Sequence, residues 1–159
     1  MKLLAALAGT CALATAALAA TPAPPGDDVG PYEAYAVRGQ VVNGLNMATA
    51  IKKVVVDYYA ANGKWPASIA ETGFAGPMSG KFVRNLSVDR GTIAIHFGNE
   101  ANAVISGRFA TQRPSVGSDG KVVWGCGYTR TPGADPRSGA SGPHRTNLHA
   151  RFLPESCRG

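Results

Sequence analysis

The sequence predicts an α+β domain in which one long N-terminal amphipathic helix packs on a four-stranded antiparallel sheet, with a disulfide-bounded C-terminal loop. Three observations predict this fold. Apolar residues recur at helical spacing over about thirty residues, and four short segments with strand character follow, separated by turn residues. The last third of the chain then holds two cysteines. The length of 159 residues suits a single domain.

The first twenty residues have the pattern of a secretory signal peptide. Lys2 supplies the positive start, a short apolar segment follows, and Ala17 and Ala19 form a small-x-small cleavage motif. We therefore expect residues 1–19 to be removed on export, leaving no stable membrane span. The alternative is an uncleaved anchor, for which the segment is only marginally long enough.

A linker and then a long helix are expected next. Residues 20–31 contain four prolines and two glycines, which prevent a continuous helix. The domain is expected over residues 32–159, and its helix over residues 32–61, which contain no proline. Asn62 and Gly63 supply the C-terminal stop. The apolar stripe of this helix is Val37, Val41, Leu45, Ala48, Ile51, Val55 and Tyr58.

Four strands are predicted after the helix, and their short connections favour antiparallel pairing. A tight hairpin turn at residues 89–91 joins the first two, and residues 117–120 form the turn before the last. Between the second and third strands, residues 100–106 predict a short helical turn that Gly107 ends. The predicted strands are residues 82–88, 92–97, 108–113 and 121–126.

Cys126 and Cys157 remain after the signal segment, which contains Cys11. An even pair of cysteines in an exported protein predicts a disulfide bond. It would close a loop of about 32 residues, for which chain entropy gives roughly 3.5–4 kcal/mol of stabilisation. The loop is rich in Gly, Pro, Arg and Ser, so the bond would hold an otherwise irregular segment on the surface.

The charge balance is basic, with a formal net charge of +6. Basic side chains in the C-terminal loop could attract DNA or acidic polysaccharide by releasing counterions. The alternative is that they only keep the loop soluble. A metal site at His144 and His149 is not expected, because no Cys or carboxylate lies nearby at ligand spacing. The candidate anion-binding residues are Arg130, Arg137, Arg145 and Arg151.

No arrangement of residues predicts catalysis. Residues 138–142 read SGASG, in which the first glycine is misplaced for a nucleophile elbow. No phosphate-cradling glycine loop or spaced carboxylate pair is present. We therefore expect no enzyme activity and no cofactor. A small secreted hydrolase would require a cleft with a perturbed titratable group, which a sequence cannot display.

Six segments, in order, resemble type IV pilins. Residues 56–66 read VDYYAANGKWP, which is similar to the EYY…NGxWP stretch of that family. The resemblance spans residues 32–159 and implies a pilin head: a helix on an antiparallel sheet, with the disulfide-bounded loop forming much of the exposed surface. The other five segments are residues 80–83, 91–97, 101–107, 123–126 and 153–158.

The N-terminal region departs from the pilin pattern. Type IV pilins carry a short charged leader, a glutamate five residues into the mature chain, and an apolar helix that continues into the head. Here a general secretory signal and a proline-rich linker stand in that place. We therefore expect a soluble accessory, decoy or capping subunit of the pilus or adhesion system, in the periplasm or outside the cell. Its partners would be other pilins or pilus assembly proteins. The candidate partner-helix face carries Arg38, Lys52 and Lys53.

Overall fold

A bent helix lies on a four-stranded antiparallel sheet, as the sequence predicts. The computed structural model describes residues 29–130 and 139–159. The predicted signal peptide, most of the linker and Arg137 lie outside these residues. The main elements are α1 (Pro31–Met47), α2 (Thr49–Asn62), β1 (Val83–Asp89), β2 (Thr92–Phe97), β3 (Phe109–Val116) and β4 (Val122–Cys126). Short 3-10 turns occur at Ile69–Thr72, Ala150–Phe152 and Glu155–Cys157.

The helix begins and ends where its sequence signals predict, but it is interrupted once. Pro31 occupies the first turn, and Gly63 ends α2 in the left-handed conformation, at φ 67°. The interruption is at Ala48, whose N–H donates to both the Gly44 and Asn46 carbonyls. This shared hydrogen bond separates α1 from α2 and bends the helix.

Most of the predicted apolar stripe is buried. Val37, Val41, Ile51 and Val55 are fully buried against the sheet. Leu45 and Tyr58 are half-buried, and Gly44 joins the buried face although no apolar side chain marks it.

The strands follow one another in the sheet in the order β1-β2-β3-β4. Arg90 and Gly91 form the first hairpin turn, both with positive φ (45° and 83°), as a two-residue type I′ turn requires. β3 runs three residues beyond its predicted end. Pro114 lacks an N–H, yet it lies opposite Trp124 and its carbonyl accepts from the Ala140 N–H at 2.9 Å. The predicted helical turn at residues 100–106 is only a hydrogen-bonded turn.

The C-terminal segment covers the face of the sheet that the helix leaves open. Thr146 Oγ1 accepts from the Thr111 N–H at 3.0 Å and lies 2.7 Å from the Thr111 hydroxyl. Gly142 packs against Thr92 so closely that a Cβ there would lie 2.7 Å from its side chain. Strand β2 is consequently buried on both faces, which includes Ala94.

The predicted disulfide between Cys126 and Cys157 is present, with the two Cα atoms 4.9 Å apart. Backbone contacts reinforce it, because the Tyr128 N–H donates to the Cys157 carbonyl at 2.9 Å. The Thr129 hydroxyl donates to the Ser156 carbonyl at 2.8 Å. The end of the chain is therefore fixed to the end of β4.

Candidate functional site

The outward face of α1 carries three of the most exposed large apolar side chains in the described residues. Tyr32 is 90% exposed, Tyr35 74% and Val42 40%. Their spacing of three and seven residues places them on one side of the helix, away from the buried Val37 and Val41. Solvent-exposed aromatic groups in a row are typical of a protein contact surface.

A groove of about 500 Å³ separates this face from the C-terminal segment. Tyr35 and Val42 line one side, and Pro154 and Glu155 line the other. Phe152 of the same segment is fully buried in the core. The groove is thus lined by apolar side chains together with one acidic and two basic ones.

A smaller cleft of about 230 Å³ adjoins the groove at the start of α1 and is lined by Pro31 and Ala34 with three arginines. We call it the three-arginine cleft, after Arg38, Arg151 and Arg158. Arg38 and Arg158 also line the groove, so the two spaces share them. The cleft combines a positive charge with the first turn of a helix.

The three cations of the predicted partner-helix face have different surroundings. Arg38 lies in the three-arginine cleft. The Lys52 ammonium lies 5.2 Å from the centre of the Trp124 ring, and partial burial lowers the pKa of Lys52. Lys53 is exposed and pairs with Asp57 at 2.6 Å. Lys52 is fourteen residues beyond Arg38, or about 20 Å along a helix, so the structure does not gather them into one patch.

The predicted anion-binding arginines are also distributed. Arg130 and Arg145 are exposed in the parts of the C-terminal loop that the structure describes. Arg151 is half-buried and lies with Arg38 and Arg158 instead. Sequence reasoning missed this grouping because Arg38 and Arg158 are far apart in the chain. It also missed the exposed tyrosines of α1. These are visible in the sequence as aromatic residues that lie off the apolar stripe.

The shifted pKa values lie at structural contacts away from the groove. Desolvation raises the pKa of Tyr58, and the hydrogen bond of its hydroxyl to Glu71 adds to this shift. The pKa of Glu71 is lowered, chiefly because its carboxylate accepts from the Ala67 N–H at 2.8 Å. Burial lowers the pKa of His96, whose ring stacks on Phe109 with centres 4.3 Å apart.

The remaining histidines make local contacts with the backbone. His144 Nε2 is 2.6 Å from the Gly127 carbonyl, and His149 Nδ1 accepts from the Arg151 N–H at 3.3 Å. In residues 29–130 and 139–159, no three His, Cys, Asp or Glu side chains form a group that could hold a metal ion. No helix within those same ranges is both long and apolar enough to span a membrane.

The sequence profile of the pilin family, described as the pilin of bacterial filaments, matches residues 37–158. The chain belongs to the pilin family. Among curated relatives, this pilin is 33% identical to a type IV major pilin protein PilE1 of Neisseria gonorrhoeae, over 80% of its own length and 73% of the relative. A second PilE1 of that organism is 31% identical, with 80% and 78% covered. The fimbrial protein EcpC of Eikenella corrodens is 30% identical, with 80% and 74% covered.

These comparisons confirm the predicted resemblance to type IV pilins and the predicted fold class. The family is structural and non-enzymatic, and its members are exported proteins of the surface or the pilus. Pilin homologues assemble with other pilins in pili. For a protein of this kind, the surfaces that contact other proteins are the functional site.

Proposed function

We propose that this pilin is a non-enzymatic accessory, decoy or capping subunit of a type IV pilus system, which docks on another pilin or on a pilus assembly protein through the outer face of α1. The observation that carries the proposal is the row formed by Tyr32, Tyr35 and Val42. Tyrosine offers a large contact area at a low cost in side-chain entropy, which is why it is enriched at protein interfaces.

The proline-rich linker supports an accessory role over that of a filament-forming major pilin. Pro22, Pro24 and Pro25 precede α1, and each would interrupt an apolar helix continuing towards the N-terminus. The signal-like residues 1–19 support general secretion, so the working form would be a soluble domain in the periplasm or outside the cell.

Binding to the pilins of the same organism tests the proposal. The exported protein, immobilised, should retain those pilins more than an unrelated periplasmic protein does. Replacing Tyr32 and Tyr35 together by serine should abolish this retention. Lys121→Ser is the control, because Lys121 is an exposed side chain next to β4, outside both the groove and the partner-helix face. Retention by the double tyrosine variant at the wild-type level would contradict docking through α1.

A second candidate function is binding of DNA or acidic glycans by the C-terminal loop. It is favoured by the exposure of Arg130 and Arg145, with Arg137 and Arg151 as the other predicted contacts. Affinity should fall steeply with salt, because each phosphate contact releases counterions. Reversing the charge of Arg130 and Arg145 should abolish binding, whereas Arg84→Glu, at an exposed side chain of β1, should not. Unchanged binding after reversal would reject this function.

A further inference from the structure

We propose that the three-arginine cleft binds a phosphate group. The cleft is formed where the first turns of α1 meet the C-terminal segment, and it is lined by Arg38, Arg151 and Arg158 with Pro31 and Ala34. The proposal does not rest on docking to another pilin. It is carried by a buried donor, by the positions of the guanidinium groups, and by the charge around them.

The buried donor belongs to Arg38. Its Nε atom is buried and has no hydrogen-bond partner among the described residues. Burying a guanidinium nitrogen without a partner costs free energy, because its N–H loses its hydrogen bond to water and forms no other. Because this nitrogen is itself inaccessible to solvent, an anion in the cleft would offset the cost through the other nitrogens of the same guanidinium group, which share its charge.

The other two guanidinium groups are held in place by backbone carbonyls. Arg151 Nη2 donates to the Val29 carbonyl at 3.1 Å, and Arg158 Nε donates to the Leu153 carbonyl at 3.0 Å. Each of these bonds uses one of the five N–H groups of an arginine. The guanidinium groups are therefore fixed before a ligand arrives, which reduces the entropy that binding must overcome.

The charge around the cleft favours an anion. The N-terminus of α1 borders it, and Gly30 provides no side-chain cap for the first free N–H groups. These add a partial positive charge to the three guanidinium groups. Of the nearby carboxylates, Glu155 lines the adjoining groove, and Glu33 of the first turn accepts from Asn102 Nδ2 at 2.9 Å. Within residues 29–130 and 139–159, the cleft and the adjoining groove are therefore lined by three guanidinium groups and one carboxylate.

The number of donors favours phosphate over carboxylate. A carboxylate presents two oxygens, enough for one arginine in the bidentate geometry. A phosphate dianion presents more oxygens and twice the charge, so it can engage three guanidinium groups together. The volume of about 230 Å³ lies below that of pockets for drug-sized ligands, so it accommodates a phosphate with a small attached group.

Titration of the exported protein with inorganic phosphate, followed by NMR of the arginine side chains and of the α1 backbone, tests the inference. Ionic strength is held constant with sodium chloride, because exposed charges respond to salt alone. Acetate at the same ionic strength is the carboxylate arm. Phosphate should give saturable shifts at Arg38, Arg158 and the first turn of α1. Acetate should bind at least tenfold more weakly.

Variants separate a site from a general response to charge. Arg38→Gln should weaken phosphate binding by about tenfold to a hundredfold, the loss expected for a charged hydrogen-bonding partner. Arg38→Lys keeps the charge but loses the fork, so it should restore only part of the affinity. Arg158→Gln should weaken binding independently. Arg84→Gln removes the same charge from an exposed position outside the cleft and should bind as the wild type does.

Thermal unfolding of each variant establishes that it is folded, and Arg158→Gln carries the test if Arg38→Gln is not. Saturable binding that both cleft variants weaken and Arg84→Gln retains would support the inference. Shifts that grow linearly with phosphate, equal affinity for acetate, or wild-type affinity in the folded cleft variants would each overturn it. None of these measurements involves a pilin partner. Their outcome is therefore independent of the outcome of the docking test.

Discussion

Replacing Gly44 by alanine should destabilise the protein, whereas the same replacement at Gly39 should stabilise it. Both glycines lie inside α1. An added Cβ at Gly39 meets nothing within 4 Å. At Gly44 the added Cβ would lie 2.7 Å from Cε1 of Phe97 and 3.1 Å from Cγ2 of Val83, both of which are fully buried. The pair therefore compares one chemical change in an open and in a filled environment.

The magnitudes follow from two opposing effects. Alanine is favoured over glycine in a helix interior by about 0.5–1 kcal/mol, and both variants gain this. Inserting a methyl group into a well-packed core costs about 1–3 kcal/mol, and only Gly44→Ala incurs it. The free energies of unfolding of the two variants should therefore differ by about 1–3 kcal/mol, with the wild type between them.

Urea unfolding followed by circular dichroism, with the disulfide intact, measures this difference. At an m-value of about 2 kcal/mol/M, the two midpoints should lie about 0.5–1.5 M apart. The m-value itself should not change, since neither substitution alters the surface exposed on unfolding. A midpoint for Gly44→Ala at or above that of Gly39→Ala would refute the close contact between α1 and Phe97.

Three further predictions concern the disulfide, the C-terminal segment and pH. Replacing Cys126 and Cys157 together by serine should lower the free energy of unfolding by about 2–4 kcal/mol in urea titrations, and a loss below about 1 kcal/mol would contradict the loop-closure argument. Thr146→Val should lower the free energy of unfolding by about 1–3 kcal/mol in the same assay, because it leaves the buried Thr111 N–H without an acceptor. Thr146→Ser keeps the hydroxyl and should retain most of the stability. Equal losses in the two variants would contradict this. The pKa of Glu71 is lowered from 4.5, chiefly by the backbone N–H that its carboxylate accepts and then by a tyrosine hydroxyl. Its stabilisation is therefore complete above pH 4.5 and is lost as the pH falls through the lower folded pKa, so Glu71→Gln should flatten the dependence of unfolding free energy on pH in that acid range. An unchanged slope would exclude this contribution.

The elements that could be predicted from the sequence are those set by local patterns. The stripe containing Val37, Val41 and Ile51 predicts the buried helix face because burial repeats with the helical period. The turn at Arg90 and Gly91 is predicted because Asp89 and Gly91 are turn residues between two segments of strand character, although arginine does not favour the φ of 45° that Arg90 adopts.

The features that could not be predicted depend on contacts between distant residues. The burial of Gly44 depends on its contact with Phe97. A helical pattern of apolar residues does not predict this contact, because glycine counts as neutral or helix-breaking in such a pattern. Coverage of the second face of β2 depends on Gly142 and Thr146, in a segment whose composition indicates only a loop. Likewise, the sequence groups the arginines of the C-terminal loop because they are close together in the chain. In the structure, the cleft instead brings Arg158 next to α1.

The C-terminal segment couples the stability of the fold to the proposed phosphate site. The disulfide fixes Cys157 to the end of β4, and Arg158 follows it directly, so the position of one guanidinium group depends on that bond. Arg38 depends instead on the packing of α1 and remains when the bond is absent. The double cysteine-to-serine variant should therefore lose about as much phosphate affinity as Arg158→Gln does. The affinity is measured at urea concentrations too low to unfold the sheet. Wild-type affinity in that folded variant would show that backbone contacts alone, such as Tyr128 N–H to the Cys157 carbonyl, hold the segment in place.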